Sequence, residues 1–157
     1  QAIKSLWSVH ADEVSIPHAT EALQLLLRNL PHVGEGASTE VRAAMCQGAH
    51  LAGKAIDITR TTAAHALSYP LTSRLGVPHG AAVAMLIGPV LIYNSGVGTV
   101  DCNDVRGPKT VLHRVEDIVE MFGCKNAEEG ATWLTGLVIC LVRFVMTHHD
   151  GPVVVTV

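Results

Sequence analysis

Ala52-Gly53-Lys54-Ala55-Ile56-Asp57-Ile58-Thr59-Arg60-Thr61-Thr62-Ala63-Ala64-His65-Ala66-Leu67-Ser68-Tyr69-Pro70-Leu71-Thr72-Ser73-Arg74-Leu75-Gly76-Val77-Pro78-His79-Gly80 is the stretch whose reading decides the fold. Its first part is crowded with small residues, as a helix packed tightly inside a bundle requires. Thr59 to Leu75 reads as a second helix, broken near Gly76 and Pro78, and the chain resumes as a third helix from Pro78 to about Tyr93. His65 then sits within one helix and His79 at the start of the next, so the reversal between them can bring both imidazoles to one point. Neutral imidazole is the commonest protein ligand for zinc or ferrous iron. In a chain with nine histidines, such a pair alone is weak evidence, and it reads first as hydrogen-bonded core or surface imidazoles.

Working outward, the apolar spacing is helical almost everywhere. Gln1 to Val9 reads as a helix, and Ser15 caps a second with Pro17 in its first turn. That helix carries Ala22, Leu23, Leu26, Leu27 and Leu30 and stops at Pro31. Ser38 and Glu40 open a long helix to about Ile58, with Val41, Met45, Ala49, Ala52 and Ile56 as its apolar side. Pro108 starts and Gly123 ends a helix bearing Val111, Leu112, Val115, Ile118, Val119 and Phe122. Asn126 and Glu129 make a capping-box start for a last helix bearing Leu134, Leu137, Val138, Leu141 and Val145. Alternation with a period of two is absent until Pro152 to Val157. The expected fold is all-α, a bundle of about six to seven helices.

Composition narrows the function. The 157 residues suit one domain, and 48% are hydrophobic against 16% charged, more apolar surface than a small monomer needs. A partner surface, and with it a homo-oligomer, is expected. A net charge of −3, no basic run and widely separated aromatics (Trp7, Phe122, Trp133, Phe144) exclude nucleic-acid binding. The most apolar run, Ala81 to Ile92, is too short for a membrane span and reads as a buried core helix. Cys46, Cys102, Cys124 and Cys140 have no paired spacing and read as reduced cytoplasmic thiols. Gly34-Glu35-Gly36 imitates a dinucleotide fingerprint but follows a helix instead of a strand, so it reads as a turn. The chain begins at Gln1 inside a helical pattern, as a segment of a longer protein does.

The order of residues around His65 and His79 resembles the C-terminal domain of the iron-containing (group III) alcohol dehydrogenases. A helix of small residues leads to Ala64-His65, then Tyr69-Pro70-Leu71, then Gly76-Val77-Pro78-His79-Gly80 and an apolar helix. Leu51-Ala52-Gly53-Lys54-Ala55-Ile56, Thr61 to His65 and Ser68 to Thr72 look like the branch containing phosphonoacetaldehyde reductases. The resemblance runs from Gln1 to about Leu141, weaker at Asp101 to Asp104 and Arg106 to Pro108, and is absent after Phe144. It implies a helical metal-binding domain over 1–145, a divergent tail over 146–157, and a nucleotide-binding domain that this chain lacks.

The resemblance also implies roles. His65 and His79 are metal ligands, for Fe2+ or Zn2+, in an enzyme that uses NAD(P)H. The family's aspartate and first histidine ligands precede an Ala-Ile-Glu-like segment; here Ala2-Ile3-Lys4 follows Gln1, so Gln1 takes the histidine position. An amide oxygen is a poorer ligand for zinc or iron than imidazole. Many members have a second histidine beside the substrate where this chain has Tyr69, a candidate catalytic residue that reads equally as a packed turn residue. Lys54 and Arg60 are candidates for an anionic substrate group such as a phosphonate, with plain surface solvation as their default reading. The expectation is the metal-binding half of a cytoplasmic NAD(P)-dependent alcohol dehydrogenase or aldehyde reductase acting on a small molecule, inactive by itself. A noncatalytic helical remnant or interaction module, and a metal-dependent lyase domain of the dehydroquinate-synthase type, are the rivals.

Overall fold

The computed structural model describes residues 1–34 and 36–148, with side chains through 141. Seven α-helices form it: α1 (Ala2–Leu6), α2 (Ser15–Asn29), α3 (Thr39–Thr59), α4 (Ala63–Leu75), α5 (His79–Ser95), α6 (Pro108–Met121) and α7 (Ala127–His148). A single 3-10 turn over Leu30–His32 follows α2. No strand occurs among the described residues. The strand-like Val153–Val157 run, and the tail beyond His148, lie outside the described residues.

Local chemistry explains most boundaries. Ser38 accepts the Val41 N–H at the start of α3, and Asn126 accepts the Glu129 N–H at 2.8 Å while Glu129 returns to the Lys125 N–H. Three expected details differ. α1 ends at Leu6, short of the expected Val9, which lies in a turn. Ser15 is the first residue of α2 and does not cap it; the Asp12 carboxylate takes the N–H groups of Val14 and Ser15, and Ser15 Oγ accepts the Asp12 N–H. The chain also leaves helix between Thr59 and Ala63, where Arg60 has φ +61°, a left-handed backbone that costs a non-glycine residue about 1–2 kcal/mol. That kink separates α3 from α4, so Thr59 ends one helix and does not begin the next.

The core is built from small residues. Ala19, Ala22, Ala55, Ala64 and Ala82 are fully enclosed beside Leu6, Leu91 and Ile118. Along α3 the buried line is Gly48, Ala52, Ala55 and Thr59, not the expected line through Ala49, which is exposed. α5 is buried on one side only: Val83, Ile87, Val90 and Leu91 face inward while Met85, Ile92 and Tyr93 are exposed. The expectation of a buried helix is therefore corrected, because among the described residues nothing covers its second face.

α5 meets α7 at a glycine. A Cβ on Gly88 would lie 3.2 Å from the Ala131 carbonyl oxygen, a backbone atom that cannot swing aside. Valine at that position, immediately before Pro89, also meets the clash that disfavours helical backbone ahead of proline. Gly88→Val is expected to lower stability by about 2 kcal/mol, checked by urea denaturation.

Candidate metal centre

The centre starts with the turn between α4 and α5. Gly76 ends α4 in the left-handed conformation at φ 67°, where its N–H and that of Val77 fold back onto the carbonyls of Thr72 and Leu71. Pro78 then holds an extended backbone (φ −51°, ψ 131°) and His79 begins α5. The result is a tight helical hairpin. His65, one turn into α4, and His79 meet with ring centroids 4.5 Å apart and planes at 80°.

Ser68 secures this contact from beneath. It is fully buried, and its hydroxyl donates to the His65 carbonyl at 2.7 Å, leaving lone pairs toward His79 Nδ1 at 3.5 Å, the long edge of hydrogen-bond range. Tyr69 stands on the open side: its ring is edge-on to His65 at 5.6 Å and stacked on His79 at 6.1 Å. It is 56% exposed, so its phenol is available to a ligand arriving from solvent.

Lys4 is the residue that reading the sequence left without a role. α1 is anchored on several sides: Trp7 Nε1 donates to Thr62 Oγ1, Ser8 Oγ to the Thr59 carbonyl, and Thr59 Oγ1 to Ser5 Oγ. So held, α1 delivers Lys4 Nζ to 3.0 Å from His65 Nδ1. The residue is 1% exposed, and it forms no ion pair with a carboxylate among the described residues. Burial lowers its pKa. Burial, followed by the charges of Lys4 and His79, also lowers the pKa of His65, which favours the neutral ring that a metal ligand must be.

The other expected residues are more scattered. Gln1 is exposed at the start of α1, where its carbonyl accepts the Ser5 N–H, and its side chain hydrogen-bonds neither imidazole. Lys54 is exposed on α3. Arg60 lines a cleft of about 370 Å³ together with Trp7, Tyr93 and Asp101; the cleft contains neither His65 nor His79. Thus the hairpin unites His65, His79 and Tyr69, α1 adds Lys4, and no hydrogen bond links Lys54 or Arg60 to that group.

Residues 1–146 match the C-terminal part of the Fe-containing alcohol dehydrogenase family. The chain belongs to that family. Among its relatives, the phosphonoacetaldehyde reductase of Streptomyces viridochromogenes is 39% identical over 124 residues, covering 78% of this chain and 31% of the relative. An aldehyde-alcohol dehydrogenase of Clostridium acetobutylicum is 27% identical over 135 residues, covering 82% of this chain and 16% of that protein. The crystal structure of an iron-containing alcohol dehydrogenase from Thermotoga maritima superposes with a TM-score of 0.70 at 29% identity, over 87% of this chain and 33% of that one. The chain thus spans a third or less of the length of these alcohol dehydrogenases.

Two imidazoles with nearby tyrosine and serine suit a borderline cation such as Fe2+ or Zn2+ in kind of donor. In number they make half of a coordination sphere: no group of three or more His, Cys, Asp or Glu side chains is placed to hold an ion among the described residues. No described helix is long and apolar enough to cross a membrane.

Proposed function

We propose that this chain is the metal-binding helical half of an NAD(P)-dependent alcohol dehydrogenase or aldehyde reductase that handles small aldehydes of the phosphonoacetaldehyde type. The contact between His65 and His79 carries the reading, supported by the family membership and by the reductase relative. His65 and His79 would hold the ion, with the Gln1 amide as a weaker third donor. When bound, such an ion supplies Lewis-acid polarisation of an alcohol or carbonyl oxygen, and NAD(P)H supplies the hydride. Ser68 keeps the His79 ring oriented, and the exposed Tyr69 phenol offers a hydrogen bond to a substrate oxygen. Lys54 and Arg60 would serve an anionic substrate group only if the intact enzyme brings substrate across to them.

The chain by itself should not transfer hydride. The exposed faces of α4 and α5, which include Leu67, Leu75, Met85 and Tyr93, are proposed to be covered by the remainder of the enzyme or by a second copy. All four cysteines are free, consistent with a reducing cytoplasm.

Calorimetric titration with Zn2+ tests the ligands. His65→Ala and His79→Ala should each weaken binding by about tenfold or more, as loss of a direct ligand must exceed or match the loss of a supporting group. Unchanged affinity in both variants would remove the proposed site.

A further inference from the structure

We infer that Lys4 is a built-in competitor for the His65–His79 pair: its amine occupies the His65 ring nitrogen that faces α1, and a divalent ion binds there only by displacing it. This deepens the functional reading and rests on His65 and His79 being the ligands. Three observations support it. Lys4 Nζ is 3.0 Å from His65 Nδ1; the residue is 1% exposed; and no carboxylate among the described residues pairs with it.

A charged amine this deeply enclosed needs an acceptor, and among the described residues His65 Nδ1 is the one it has. An ammonium has donors only, so Nδ1 must be the accepting nitrogen and the proton of a neutral His65 ring lies on Nε2. One lone pair is thereby taken by lysine and the other position is capped by hydrogen. His79 is placed differently: Ser68 Oγ spends its own proton on the His65 carbonyl and presents lone pairs toward Nδ1 of His79, which leaves Nε2 of His79 as the nitrogen able to coordinate. The pair is therefore asymmetric, with one ring poised and one engaged.

Lys4 also stays where it is put. Ala2, Ile3 and Leu6 of the same short helix, and Trp7 just after it, are packed in the core, and the bonds to Thr59 and Thr62 fix its rotation. A positive group held against a coordinating ring opposes an incoming dication by charge as well as by occupancy.

The test is Zn2+ calorimetry on the full 157-residue chain, with Lys4→Met and Lys4→Gln beside the unaltered protein and circular dichroism as the check of folding. Removing the amine is expected to tighten binding at least tenfold in a folded variant, and His65→Ala added to Lys4→Met is expected to abolish the gain. Nitrogen-15 NMR of the imidazoles gives a readout independent of metal: His65 should be in the Nε2–H form with its Nδ1 resonance shifted as a hydrogen-bond acceptor in the unaltered chain, and that Nδ1 shift should be lost in Lys4→Met. Affinity unchanged by either Lys4 substitution overturns the competition, while continued sensitivity to His65→Ala and His79→Ala would leave the ligands in place. A gain that survives His65→Ala, or no binding in any variant, overturns both. If both Lys4 substitutions unfold the chain, His65 not being in the Nε2–H form in the unaltered protein overturns the competition by itself.

Discussion

Replacing Leu91 with alanine should destabilise the protein by about 4 kcal/mol, toward the upper end for buried leucine truncations. Leu91 is completely enclosed, on the inner face of α5. Opposite it lies Gly130 of α7, so close that a Cβ there would come within 3.2 Å of Leu91 Cδ2. A glycine has no side chain to turn into the void left by truncation. The other near neighbours of that spot, Phe122 and Val119, are themselves fixed in the core, Phe122 being stacked on Trp133 with centroids 5.0 Å apart. The cavity therefore persists, and its cost adds to the lost transfer free energy. Ile92→Ala, one position along on the exposed face, should change stability by less than about 0.5 kcal/mol. Urea unfolding of both variants checks the contrast; equal losses would mean that α5 is not oriented as described.

Arg106→Met should cost about 3 kcal/mol. The guanidinium grips the Asp104 carboxylate with two contacts, Nη2 to Oδ2 at 2.7 Å and Nε to Oδ1 at 2.9 Å. It also donates to the carbonyls of Ala11 and Ser8, tying the loop before α6 to the connection between α1 and α2. Asp104 has a side chain only 2% exposed, and Arg106 is about a third exposed. Losing the arginine strands a buried carboxylate, the expensive way to break such a pair; the partial exposure of Arg106 argues for the lower end of the usual range of about 3–5 kcal/mol. The pH dependence carries a definite sign. The side-chain hydrogen bonds from Arg106 hold the Asp104 carboxyl below its ordinary pKa, against the opposing push of burial. Such a group stabilises the fold fully above its unfolded pKa of about 4 and loses that contribution as pH falls through the folded value. The stability gap between the unaltered protein and Arg106→Met should thus be widest near neutrality and shrink below about pH 4. A gap that grows with acidity would refute the assignment.

What the sequence disclosed follows from the range of the forces involved. Helix ends set by local chemistry were legible: Ser38, Asn126 with Glu129, and Pro108 do what their types suggest. The meeting of His65 and His79 was legible too, because Gly76 and Pro78 fix a short reversal whatever the rest of the chain does. Facing was harder where both sides of a helix are small. Along α3 the run from Ala43 to Ala55 offers little contrast between faces, and packing against α2 chose Gly48 over Ala49. There a Cβ at position 48 would press within 2.9 Å of Leu26. Lys4 gave no sign at all, since a lysine ordinarily belongs at the surface. Its burial is decided by Trp7, Ser8 and Thr59 locking α1 from three directions, which only tertiary structure reveals. Asp12 was missed for a related reason: Ser15 has the right type for a cap, yet the chain turned one step earlier.

The hairpin through Gly76 has a consequence for the order of events as the chain folds. His65 and His79 are separated by fourteen positions, whereas Lys4 must cross sixty-one to reach His65. Closing the shorter loop is entropically cheaper by about 1.3 kcal/mol, so the two rings can find each other while α1 is still undocked. If the pair holds an ion as proposed, a cation offered before α1 docks would meet the two rings without the lysine, so metal supplied during refolding should enter faster than metal added to the folded chain.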